Sequence, residues 1–154
     1  MALFLSRYEG RIDRKGRLLV PAPFRAALAE QRFSGVVCYP SPVEQAIEGC
    51  DFARIEHLAN SIDSLNPFSA ESGAFATTIL GKSYQLAFDT EGRVNLPDLL
   101  VTYAGIDGPL WFVGLGKIFR IWSPERLATY ERGAEKLARE QADRLSLKPA
   151  GGAA

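Results

Sequence analysis

Along the chain, stretches in which apolar and polar positions alternate give way to stretches with apolar positions three and four apart. This exchange happens twice in the same order. Leu3 to Ile12 and Ser83 to Phe88 alternate and predict strands. Each leads to a turn, a short strand, a proline (Pro21, Pro97) and a short helix, Ala22 to Glu30 and Asp98 to Ala104. Proline cannot donate to a ladder and fixes φ, which suits the exit from a strand into a helix. Hairpins follow: Val36 to Tyr39 and Gln45 to Glu48 flank Pro40-Ser41-Pro42, and Leu110 to Val113 and Ile118 to Trp122 flank Gly114-Leu115-Gly116-Lys117. Asp51 then caps a helix expected to run to about Leu65. Ser123-Pro124-Glu125 starts a longer one expected to reach Leu147, with the apolar stripe Leu127, Tyr130, Ala134, Leu137, Ala138 and Leu145.

The recurrence extends to individual residues. Tyr8, Asp13, Gly16, Arg17 and Pro21 return at a constant offset as Tyr84, Asp89, Gly92, Arg93 and Pro97. Further on, Ala46 to Ile55 aligns with Ile118 to Leu127 at a slightly shorter offset, so the duplication spans each half. The chain therefore divides into a first repeat (1–66), a joint rich in Ser, Pro and small residues (67–82), a second repeat (83–147) and a frayed tail (148–154). Two repeats are too few for a solenoid.

Asp13-Arg14-Lys15-Gly16 and Asp89-Thr90-Glu91-Gly92 place Asp first and Gly fourth, the preferences of a type I turn whose last residue takes positive φ. Turn geometry thus accounts for Asp13, Gly16, Asp89 and Gly92. It does not demand the arginine that follows each glycine. One reading of Arg17 and Arg93 is an ion pair with the turn's own Asp. The other is contact with phosphate or a base edge, since the guanidinium fork matches both.

Charge bears on that choice through its distribution. The chain carries 18 Lys and Arg against 18 Asp and Glu, so it lacks a global basic footprint. Yet Arg7, Arg11, Arg14, Lys15, Arg17 and Arg25 crowd the first turn region against only Glu9 and Asp13. The second turn has Thr90 and Glu91 in place of the basic pair, and Glu91 would repel a phosphate, so unequal contributions from the halves are expected. Arg14, Lys15, Arg17, Arg11 and Arg93 are the candidate DNA contacts. One chain offers few charges, and a closed assembly that repeats the first loop along DNA would multiply them. The aromatic residues near Trp111, Phe112, Phe119 and Trp122 are read as core before interface.

With both Asp-x-x-Gly-Arg turns, the prolines that follow, Leu80-Gly81 ahead of the second copy and Ile121-Trp122-Ser123-Pro124 after it, the chain resembles the MraZ family along almost its full length. The resemblance implies an α+β fold: a duplicated AbrB/MazE-like swapped-hairpin β-barrel with short helices and a longer C-terminal helix. It implies a ring oligomer, often octameric. It also implies a transcription factor of the division and cell wall gene cluster, binding direct repeats upstream of its own gene. A methyltransferase encoded in the same cluster would be a possible partner under that resemblance, and the nucleoid a place of action.

Other readings are weaker. Asp13 and Asp89 could form the paired carboxylates of a hydrolase, but no Ser-Gly or Thr-Gly follows either one, and a neighbouring arginine would keep both ionised. His57 has no nucleophile partner in the pattern. Cys38, Cys50 and this single histidine give no metal-ligand spacing, and the two cysteines read as buried small thiols. No enzyme activity, cofactor or metal is expected. A ring that serves protein partners is the principal alternative. An antitoxin with a disordered toxin-binding tail fits poorly with a capped C-terminal helix. The longest apolar runs fall short of the roughly 20 residues a span requires, and the start lacks a basic segment before a signal core, so a cytoplasmic location is expected.

Overall fold

The computed structural model describes residues 3–146. The tail assigned to 148–154, and Leu147 before it, lie outside the described residues. Among those described, eight strands and five α-helices run in the order β1 (Arg7–Arg11), β2 (Arg17–Leu19), α1 (Ala22–Leu28), β3 (Gly35–Pro40), β4 (Ile47–Cys50), α2 (Phe52–Asp63), α3 (Ala70–Phe75), β5 (Tyr84–Ala87), β6 (Arg93–Asn95), α4 (Asp98–Ala104), β7 (Pro109–Gly114), β8 (Phe119–Trp122) and α5 (Pro124–Glu140). The architecture is α+β with antiparallel pairing throughout.

The repeats are interleaved. A six-stranded sheet has the order β1-β7-β8-β4-β3-β5, and β2 pairs with β6 in a separate two-stranded ribbon. The first strand of each half thus joins the hairpin of the other: Tyr8 stands opposite Phe112, and Tyr84 opposite Cys38. Exchanging the halves reverses the order of the large sheet and maps the ribbon onto itself, so a pseudo-two-fold axis relates them. This is a swapped-hairpin arrangement.

Both sheets contribute to one core. Leu18, Val20, Val94 and Leu96 from the ribbon and its exits meet Val36, Ile47, Leu110, Phe112 and Ile121 from the large sheet. Phe24 of α1 sits at the centre, its ring 5.2 Å from Phe4, 4.9 Å from Phe119 and 5.4 Å from Tyr8. Phe112, Phe119 and Trp122 are buried as expected of core aromatics, whereas Trp111 is half-buried. On the opposite face of the sheet, Val37, Tyr39 and Cys50 pack with Ile79, Ile55 and Leu58. Cys38 and Cys50 are both buried and unpaired.

Three local features depart from the periodicity. The alternation from Leu3 does not make one strand: Ser6 takes φ 70°, a left-handed kink, and β1 begins only at Arg7. The joint is largely helical, because Ser69 accepts from the Ser72 N–H and starts α3, which continues into a π-helical turn over Ala76–Leu80. The last helix stops at Glu140 and tightens into a 3-10 turn at Ala142–Arg144, short of Leu147. Its second half buries no side chain, and an unpacked helix end has little to hold it.

Chain compactness separates Met1–Pro124 from Glu125–Ala154. In the second unit Tyr130 and Leu137 remain exposed along α5, and Leu145, placed on the same stripe by periodicity, lies beyond the helix. Among the described residues no helix is long and apolar enough to cross a membrane.

Candidate nucleic-acid interface

The two Asp-x-x-Gly-Arg segments fold alike, for reasons local to each. Gly16 donates its N–H to the Asp13 carbonyl at 3.0 Å, and Gly92 to that of Asp89 at 3.1 Å, closing the four-residue turns. Both glycines then take φ +82°, which side-chain-bearing residues seldom adopt. Asp13 Oδ1 accepts from the backbone N–H of Lys15 (2.9 Å) and of Arg17 (2.8 Å). Asp89 Oδ1 does the same for Glu91 and Arg93, both at 2.9 Å. The second oxygen of each carboxylate takes the arginine: Arg17 Nε donates to Asp13 Oδ2 at 2.8 Å, and Arg93 Nε to Asp89 Oδ2 at 2.9 Å.

These bonds hold each carboxyl below its ordinary value. The largest cause is the backbone N–H of Arg17 for Asp13 and of Arg93 for Asp89, and the guanidinium itself adds to it. Conversely, the bond to Asp89 raises Arg93, with further help from the charges of Asp89 and Glu91. The arginine side chain is thereby oriented by its own turn, as the ion-pair reading of the sequence held. Binding through Nε leaves the Nη edge of the fork for a ligand. The Arg17 guanidinium makes no second ion pair among the described residues, and its side chain is 39% exposed. Arg93 is more committed, because its Nη2 lies 3.2 Å from Glu91 Oε2.

Pairing of β2 with β6 brings the two turns onto one ribbon. Arg17 stands opposite Asn95, Leu18 opposite Val94 and Leu19 opposite Arg93. Leu18 and Val94 point into the core, so Arg17, Leu19, Arg93 and Asn95 form the outer face. Antiparallel pairing puts the turns at opposite ends of the ribbon, with the two arginines two residues apart along the strands, roughly 7 Å at ~3.3 Å per residue. A two-stranded ribbon of this kind fits the major groove of B-DNA.

The remaining cations distribute unevenly. Arg14 and Lys15 are exposed at the tip of the first turn and make no ion pair among the described residues. Arg11 ends β1 and reaches over the loop at Gly108, where Asp98 and Asp107 also line a cleft shared with Arg14. The second turn presents Thr90 and Glu91 at the corresponding tip. Sequence reasoning left Asn95, Leu19 and Arg25 out of the site. Asn95 and Leu19 were discoverable as outward positions of the short strands after the turns, but their apposition depends on which strand pairs with β2. His57 lies exposed on α2, and no group of three or more metal-ligating side chains is found among the described residues.

An internally duplicated swapped-hairpin fold, carrying two matched Asp-Arg turns on one ribbon, defines the class of protein. Comparison with known proteins makes the assignment particular. The family profile described as "MraZ protein, putative antitoxin-like" matches residues 79–148. The chain is 45% identical over 150 residues to the protein named "Transcriptional regulator MraZ" of Rickettsia canadensis (strain McKiel), covering 97% of this chain and 99% of that one. It is 46% identical over 149 residues to the protein of the same name from Rickettsia bellii (strain OSU 85-389), covering 96% and 98%. The chain belongs to the MraZ family.

Proposed function

We propose that this protein is a sequence-specific regulator of transcription that binds duplex DNA through the outer face of the β2–β6 ribbon and its two turns. The observation that carries the reading is Arg17: fixed through Nε by Asp13, half-exposed, and flanked by the unpaired cations Arg14 and Lys15. A guanidinium oriented in advance loses little freedom on binding, and its open edge matches phosphate or the O6/N7 edge of guanine. Arg11 adds charge beside the first turn. Arg93 contributes less because Glu91 holds it. The name borne by the two relatives supports the same class of activity.

In finer terms, the target is a set of direct repeats upstream of the protein's own gene, in a division and cell wall gene cluster. The protein acts as a ring, probing DNA with several copies of the first turn, and such a ring would operate at the nucleoid within the cytoplasm. A formal charge of zero per chain makes repetition useful, since affinity for DNA grows with the number of phosphates neutralised. The exposed apolar stripe of α5 offers surface for self-association. A methyltransferase encoded in the same cluster is a partner to test by co-purification.

The test is a salt titration of binding to a duplex from upstream of the gene, with a scrambled duplex and Arg17→Ala alongside. Specific binding that weakens steeply with salt and is lost in the variant supports the proposal. Equal, weak binding of both duplexes by the assembled oligomer overturns it and favours a ring that serves protein partners.

A further inference from the structure

The second turn lacks the cations of the first, but a cation reaches it from elsewhere. Arg25 belongs to α1, in the first half, and its side chain lies across Gly92. A β-carbon placed on Gly92 would fall 2.6 Å from Arg25 Nη1 and 2.7 Å from its Cδ and Cζ. The guanidinium is anchored as Arg17 is, through Nε alone: it donates to the Val20 carbonyl at 2.9 Å. Val20 is itself tied to the turn, since its N–H donates to the Gly92 carbonyl at 3.2 Å. Arg25 makes no ion pair among the described residues, and with Asp89 and Thr90 it lines the cleft beside the second turn.

The duplication shows that this arrangement is particular to one side. The offset relating Arg17 to Arg93 relates Arg25 to Val101, which lies in the cleft beside Gly16. Each turn therefore has an α-helical residue from the opposite half in the cleft beside it. Where the turn carries Arg14 and Lys15, that residue is Val101; where it carries Thr90 and Glu91, it is Arg25. The charge missing from the second tip is supplied across the pseudo-two-fold axis.

We propose that Arg25 is the phosphate-contacting cation of the second turn, so that both ends of the ribbon meet the DNA backbone with a positive group. This rests on the DNA-binding reading above and deepens it. Glu91 then has a consistent place: it holds Arg93 to the ribbon face while Arg25, beside it, meets the backbone.

The test compares Arg25→Met and Arg25→Lys with Arg17→Ala in the same salt titration, using the upstream and scrambled duplexes. Methionine keeps an aliphatic stem over Gly92 and removes the charge; lysine keeps the charge. Thermal unfolding of each variant confirms that the fold survives. Arg25→Met should weaken binding to both duplexes by a similar factor and make the salt slope shallower by about one for each engaged chain, and Arg25→Lys should restore the slope. An unchanged slope in Arg25→Met, with Arg17→Ala defective, overturns the role of Arg25 and leaves the regulator reading intact. Unchanged affinity with both Arg17→Ala and Arg25→Met overturns both. Weaker binding in Arg25→Met at an unchanged slope would assign Arg25 to packing of the turn and also overturn the proposal.

Discussion

Glu48 and Arg120 face each other in register on β4 and β8, Arg120 Nε lying 3.1 Å from Glu48 Oε2, and they are each other's counterparts in the duplication. The offset that aligns Ala46 with Ile118 aligns Glu48 with Arg120. The pseudo-two-fold axis therefore passes through this pair, as it passes through Leu18 and Val94 in the ribbon. In a symmetric dimer of one repeat, such a position would set a residue against its own copy, and a charge there would meet a like charge. Joining the halves in one chain permits opposite charges at the axis. Both side chains are largely buried, and Ser41 Oγ donates to the same carboxylate oxygen at 2.8 Å.

A buried ion pair is costly to break and less costly to replace entire. Arg120→Met should destabilise the fold by roughly 3–5 kcal/mol, because it leaves the buried Glu48 side chain without its cationic partner. Glu48→Leu/Arg120→Met should recover most of that loss. Urea unfolding of the single and double variants checks this, and a double variant as unstable as the sum of its singles would refute the coupling.

Glu91 restrains the second turn. Its carboxylate is 67% exposed and pairs with Arg93 at 3.2 Å, a contact that contributes little stability in water. Glu91→Lys removes a repulsion toward phosphate, frees Arg93 Nη2 and adds a cation. The expected outcome is tighter DNA binding with a salt slope steeper by about one to two per engaged chain, at unchanged thermal stability. A flat response would place the second turn away from the DNA.

What the sequence made legible was what nearby residues decide. Asp13 with Gly16 and Asp89 with Gly92 specify their turns within four residues, Asp51 specifies the start of α2, and Pro97 fixes the start of α4. Pairing between halves is different in kind. Nothing local to Arg17 designates Asn95 as its neighbour, and nothing local to Gly92 designates Arg25, since both contacts arise only once β1 crosses to β7 and β5 to β3. The swapped topology was legible through family resemblance and not through periodicity. Alternation overextended the first strand because it carries no information about the kink at Ser6, and the stripe overextended the last helix because it counts apolar positions without knowing whether they are covered.

The two cysteines should be chemically silent in the folded protein. Burial pushes the Cys38 thiol up to about 12, and it raises Cys50 as well, with the neighbouring Cys38 adding to the effect. Thiolate is the reactive form, so a thiol reagent at about pH 8 should modify neither residue in the native state and both in denaturant. Stoichiometric native labelling would contradict the packing described for β3 and β4.

The turn aspartates should give the fold a measurable acid sensitivity. Asp13 and Asp89 are held below their ordinary value of 3.8, chiefly by the backbone N–H groups of Arg17 and Arg93. A carboxyl depressed in the folded state favours folding fully above its unfolded value, and that contribution disappears as pH falls through the folded value. The loss therefore begins below about pH 4 and is complete only at stronger acid. Asp13→Asn/Asp89→Asn keeps an oxygen to accept from the turn N–H groups but carries no proton-linked charge. Near neutral pH the double variant should melt a few degrees below the wild type, having lost its bonds to ionised carboxylates. Between pH 5 and pH 2.5 the gap should narrow, because only the wild type loses this contribution. Melting temperatures measured across that range decide the matter: two curves that stay parallel would show that the Asp-Arg turns do not couple to folding.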